Sequence, residues 1–296
     1  MQSKPLDIRG AWLVFGSATA WSFGGAIARF LSVTDSWTTV FWRSVFASSF
    51  LLAFMLWQHG RQGTLRLFLA MGRAGVGVAL CFALASTCFV VALAYTTVAN
   101  VLLLQAGVPL IAALMGFLLF RERVPRATWI AIAAVISGVA VMVSESLGGN
   151  VSPVGDGLAL LIALAFATAT VITRRHAHVA MMPAVCLGTL IAACVSSTQV
   201  IQFAVGPVDG ALLFAFGALN LGLGLALFAT GARLLPSAIA ALIGIAEPVL
   251  GPVWVWLIHH EVPSERTVLG GAIVFFALLA HIIWQLRQPI GEEPQT

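Results

Sequence analysis

Residues 238–261 read AIAALIGIAEPVLGPVWVWLIHHE, an apolar run long enough to cross a bilayer, with an acid and a proline, Glu247-Pro248, near its middle. A carboxylate at membrane depth is costly, so its presence needs a reason. A proline inside a spanning helix frees a backbone carbonyl and kinks the chain, which only a packed or wet interior tolerates. An earlier stretch, residues 99–122, ANVLLLQAGVPLIAALMGFLLFRE, reads as its copy. Ala99, Leu103, Pro109 and Glu122 each stand 139 positions before Ala238, Leu242, Pro248 and Glu261. The chain therefore contains two related halves, and this helix is one of a matched pair.

Working outward, composition fixes the class. Of 296 residues, 60% are hydrophobic and 9% are charged, with a mean hydropathy of +1.01. A soluble domain carries about a quarter charged residues, so this chain cannot cover a water-facing surface. Its apolar runs are helix-length, not the alternating ten-residue pattern of a barrel, and the expectation is an all-α integral membrane protein. The net charge of +4 sits in loops between spans and is no sign of a nucleic-acid partner. Cys81, Cys88, Cys186 and Cys194 all fall inside apolar runs and read as small packing residues, not disulfides or metal ligands. No cofactor is implied. The first apolar run is long and lacks a small-residue cleavage site, so it reads as a span, not a cleaved leader.

Ten transmembrane helices are expected, over residues 10–31, 36–57, 74–94, 97–120, 126–145, 155–174, 180–203, 209–232, 236–258 and 264–286. The polar break SLGGNVSPVGD, residues 146–156, separates five spans from five, giving one repeat over 10–145 and a second over 155–286. Lys4, Arg9, Arg61, Arg66, Arg73, Arg121, Arg123, Arg126, Arg174, Arg175, Arg233 and Arg287 then share one side of the membrane. Only Arg29 and Arg266 lie on the other, and Arg43 is inside a span. The asymmetry places both termini in the cytoplasm.

Five spans is an odd number, so the second half enters from the opposite side and the repeats are inverted. Further matches agree. Trp21 and Arg29 align with Phe166 and Arg174 at an offset of 145, and Phe89, Thr128 and Ala133 align with Phe228, Thr267 and Ala272 at 139. Inverted helical repeats are an architecture of transporters, with the binding site between the repeats near the midplane.

These residues carry a resemblance. The Ala20-Trp21 and Arg29 pattern, Arg43, Tyr95-Thr96-Thr97 with Ala99, Pro109 and Arg121-Glu122-Arg123 mark the first half. Phe166, Arg174, Glu247-Pro248 and Glu261 mark the second. The pattern resembles the EamA type of the drug/metabolite transporter superfamily over nearly the whole chain, residues 10–286, and within it the YddG-type aromatic amino-acid exporters. The resemblance implies an exporter of small metabolites in a bacterial cytoplasmic (inner) membrane. Its partners would be a small-molecule substrate and the lipid bilayer; the oligomeric state stays open.

The side chains that are costly at membrane depth are the candidate site. Glu247 binds a substrate amine or takes up a proton; the alternative is a buried acid that caps backbone freed by Pro248 and Pro252. Arg43 pairs with Glu247, holds a substrate carboxylate, or anchors neighbouring carbonyls. Gln105 lies one turn before Pro109 and, with Asn220, reads as cavity-lining. Trp21 is flanked by small and hydroxylated residues and suits stacking on a planar cargo, with helix packing as the alternative. Phe82, Ser86 and Phe89 share one face of the third span and read as a cavity wall, with a plain packing face as the alternative; Phe166 and Phe228, found through the repeat, read as cavity-lining. Pro109 and Pro248 read as hinges. The run His259-His260-Glu261 is an interfacial cluster, since contiguous residues do not share a helical face.

The expected function is export of a small amphipathic metabolite, aromatic or other apolar amino acids first, by alternating access. A multidrug or purine and other-metabolite exporter of the same fold is the alternative. An intramembrane enzyme needs an activated nucleophile or a metal, and a channel needs a filter or charged ring; no span offers either.

Overall fold

The computed structural model describes residues 7–121, 124–147, 152–176, 180–235 and 237–287. Lys4, Glu122, Arg123 and part of the central polar break lie outside the described residues. The described residues form helices and connections, with no strand among them.

The first expected span is two pieces, α1 (Ile8–Ser22) and α2 (Gly24–Phe30), meeting at Phe23. The second, α3 (Ser36–Ala70), overruns its expected end; it bends at Gly60, whose φ of 65° is the left-handed region that glycine enters freely, and continues as helix through the expected loop. The third is α4 (Gly72–Ala92), and the fourth is again split, into α5 (Val98–Ala106) and α6 (Val108–Phe120), bent by 43°. Next come α7 (Arg126–Leu147), α8 (Pro153–Arg175) and α9 (Met181–Ser197). The eighth expected span runs from α10 (Pro207–Phe214) through a π-helical stretch, Ala215–Leu223, into α11 (Gly224–Gly231). The ninth splits into α12 (Ser237–Gly244) and α13 (Ala246–His259), and α14 (Glu265–Arg287) closes the chain.

Among the described residues, eight helical segments are long and apolar enough to cross a membrane, and the bent α5–α6 pair makes a ninth if it is one span. Expected span 180–203 falls short: α9 has 17 residues, because the chain turns at Thr198 and Gln199 and stays non-helical to Gly206. The protein is thus a multi-pass membrane protein.

The fold's local logic is visible at the helix starts. Asp35 caps α3, accepting from the Trp37 and Thr38 amides at 3.1 Å and from the Thr38 hydroxyl at 2.7 Å. Partial burial pushes the Asp35 carboxyl upward, but these donors and the Ile201 amide outweigh it and hold it below its ordinary value. Between helices, small residues permit close approach. A methyl group on Gly270 of α14 would lie 2.4 Å from the Gly138 carbonyl oxygen of α7. Outward, Ile130, Leu118 and Phe276 are exposed, as a lipid-facing surface requires.

Candidate functional site

The split of the ninth span positions the acid. The break falls at Ile245, so Glu247 sits in the first turn of α13, with no side chain capping that end. The free N–H groups there carry partial positive charge, which favours an anion. Pro248 costs nothing at this position because it has no N–H to leave unpaired. Glu247 is half-buried, and among the described residues no hydrogen bond or ion pair reaches its carboxylate. The fourth span breaks in the same way at Gly107, with Pro109 in the first turn of α6. Both proposed hinge prolines therefore follow a break by two or three residues. Pro109 is exposed, and Gln105 just before it donates to its own helix at the Val101 carbonyl, 3.2 Å.

The aromatic candidates converge from four spans. Trp21 of α1 and Phe228 of α11 lie 5.5 Å apart between ring centroids, and Phe82 of α4 meets Phe166 of α8 edge-on at 5.8 Å. Trp21 and Phe82 pack against one shared cluster that includes Leu51, Val185 and Leu225. Phe89 and Phe166 pack against a second, around Val101, Leu102 and Ile162. The Trp21 indole N–H is buried without a partner, pressed against Gly224, where a methyl group would lie 2.4 Å from Nε1.

Arg43 does not pair with Glu247. Its Nη1 donates to the Ser86 hydroxyl at 3.0 Å, and its guanidinium lies 4.3 Å from the Phe216 ring and 5.5 Å from Phe89. Asn220 is buried and spends its amide on the Ala20 and Trp21 carbonyls, at 2.7 and 3.1 Å. It thereby satisfies oxygens beside the Phe23 break and holds α1 to the π-helical stretch, a feature frequent at functional sites. Phe216 and Trp254 were not among the sequence candidates. Trp254 donates to the Ser22 hydroxyl at 3.0 Å and stacks on Phe23 at 4.9 Å, so it supports the same break. The only signal for either was an aromatic one turn from a polar candidate or deep in a span.

The far end of α2 is tied shut. Arg29 Nε reaches Glu261 Oε2 at 2.8 Å, and its Nη atoms donate to the Leu93 and Thr96 carbonyls at 2.8 and 3.1 Å. The other Glu261 oxygen accepts from the Val98 amide at 2.9 Å. One arginine and one acid thus join the ends of α2, α4, α5 and α13. From the sequence, both residues were only repeat markers at span ends. An apolar groove of about 450 Å³ runs beside the α12–α13 break, walled by Phe15, Leu242, Ile245, Val249 and Phe275.

Paired broken helices around a weakly polar, aromatic interior define a membrane transporter as a class. The chain belongs to the EamA-like transporter family, whose profile matches residues 8–144 and 153–283. Similar proteins include the pseudopaline exporter CntI from two strains of Pseudomonas aeruginosa, each 29% identical over 235 residues, 74% of this chain and 81% of the relative. A solved crystal structure superposes with a TM-score of 0.62 at 18% identity, covering 94% of this chain and 99% of that one, a likeness of fold alone.

Proposed function

We propose that the protein exports small amphipathic metabolites, aromatic or other apolar amino acids first, by alternating access between two inverted five-helix repeats. Ten spans would cross a bacterial inner membrane with both termini cytoplasmic. The observation that carries the reading is Glu247: an acid without a partner among the described residues, on the first turn of a half-helix, in a bundle whose interior gathers Trp21, Phe82, Phe166 and Phe228. Such an acid suits an ammonium group or a proton, and the rings suit an apolar side chain. Swinging α6 about its break would open one end while the Arg29–Glu261 tie holds the other, and release of that tie would free α13 to swing in turn.

The test is uptake into proteoliposomes of purified protein, with labelled tryptophan, phenylalanine, threonine and a purine, with and without a pH gradient. Saturable flux of the aromatic pair is the expected result, and its response to the gradient reads proton coupling. Flux of the purine alone, or of none in vesicles shown to hold folded protein, removes the amino-acid cargo. The pseudopaline exporters favour a second reading, a different metabolite exported by the same fold.

A further inference from the structure

Arg43 is the one candidate whose chemistry the exporter reading leaves unused. It is 6% exposed, and among the described residues no carboxylate pairs with it. A buried cation without a counterion is expensive, and in a membrane interior such residues find a partner. Its guanidinium has five donors, yet only Nη1 is engaged, by the Ser86 hydroxyl at 3.0 Å and, at the 3.5 Å limit, by the Ser86 carbonyl. Its Nε is sealed from solvent with no partner among the described residues.

The surroundings look built for presentation. Phe216 and Phe89 cover the guanidinium at 4.3 and 5.5 Å, holding it by cation–π contact. Gly217 lets the π-helical stretch come in against the Arg43 backbone; a methyl group there would lie 2.3 Å from the Arg43 carbonyl oxygen. The head thus rests on the face of α4 that carries Phe82, Ser86 and Phe89, where Phe82 meets Phe166. A snorkelling cation would reach for the interface instead. This one reaches inward.

We propose that Arg43 is a carboxylate-binding subsite where α3, α4 and the π-helical stretch meet, its planar guanidinium receiving the acid group of the cargo in the two-bond geometry that guanidinium and carboxylate share. This rests on the exporter reading and deepens it: with Glu247 for the amine, the pair selects zwitterions over amines, alcohols or drugs lacking an acid.

The test follows thermal unfolding of the purified, full-length protein titrated with 3-phenylpropionate, phenethylamine, 3-phenylpropanol and sodium chloride. The expected result is saturable stabilisation of the wild type by 3-phenylpropionate and not by the alcohol or chloride. Arg43→Gln abolishes it. Arg43→Lys, which keeps the charge but not the fork, weakens it about tenfold. If Arg43→Gln does not fold, the lysine variant decides alone, and an affinity equal to wild type overturns the proposal. So does equal stabilisation by the acid and the alcohol, or by chloride. Phenylalanine flux is scored separately. Arg43-dependent binding of 3-phenylpropionate without phenylalanine flux keeps the subsite and removes the amino-acid cargo. Flux whose KM is unchanged in Arg43→Lys keeps the cargo and removes the subsite.

Discussion

The two broken helices, α5–α6 and α12–α13, are alike in the place of their breaks and unlike in chemistry; of the two, α5–α6 bends the more sharply, by 43°. Each breaks just before a proline placed in the first turn of its second piece. Each ends on a left-handed residue, Arg121 at φ 54° and His260 at φ 55°, which occupy matching places in the two copies. Even their end contacts correspond: His259 meets Phe30 at 4.4 Å, and their counterparts Phe120 and Arg175 meet at 3.3 Å with the cation on the other member. Yet the position that holds Glu247 in one copy holds Val108 in the other. Both copies carry a break; the ionisable group stands in one of them. In the proposed exporter, motion would then belong to the pair and recognition to a single member.

The largest effect expected from erasing that difference is at the acid. Glu247→Gln should lower flux in proteoliposomes by about a hundredfold, the loss of a charge-assisted bond of ~3 kcal/mol. Flux near wild type at every pH would make the acid incidental and the two breaks equivalent. A second contrast is Gly224, whose counterpart in the first repeat is Ala85. Gly224→Ala copies that residue across, but its methyl group meets Trp21, so unfolding in detergent should show a loss of about 1–3 kcal/mol. An unchanged stability would mean that Trp21 has room to move. The smallest effect is at the Arg29–Glu261 tie. Glu261→Gln weakens a partly exposed ion pair worth at most ~1 kcal/mol, so transport rate should change about two- to fivefold. Distances between spin labels on the ends of α2 and α13 should widen; labels that stay put would mean the backbone bonds of Arg29 suffice.

What the sequence made legible was what is local. Pro109 and Pro248 announce their breaks because proline acts on its own turn, and the repeat doubles the signal. The break at Phe23 has no proline; it depends on Asn220, some 200 positions away, accepting the task of bonding the Ala20 and Trp21 carbonyls. Asn220 accordingly read as cavity lining from the sequence and is occupied by backbone in the structure. The bend at Gly60 was hidden because an apolar, arginine-dotted stretch serves equally as loop or helix. Arg43 was legible as costly but not as unpaired, since the absence of a carboxylate nearby is a fact about other helices. The same holds for the length of α9, where hydropathy continues to Phe203 but helix does not.

The tie at Arg29 also sets an order of assembly. Its acid lies 232 positions downstream, while the Leu93 and Thr96 carbonyls that Arg29 also holds belong to its own half. At roughly 5–20 residues per second of synthesis, Arg29 waits on the order of ten to fifty seconds for Glu261 to emerge. During that interval the first repeat already occupies the guanidinium with its own backbone. The nascent chain therefore has backbone partners for this cation before its acid exists, and Glu261 reaches a bundle whose halves already meet through Phe82–Phe166 and through Asn220 on α1.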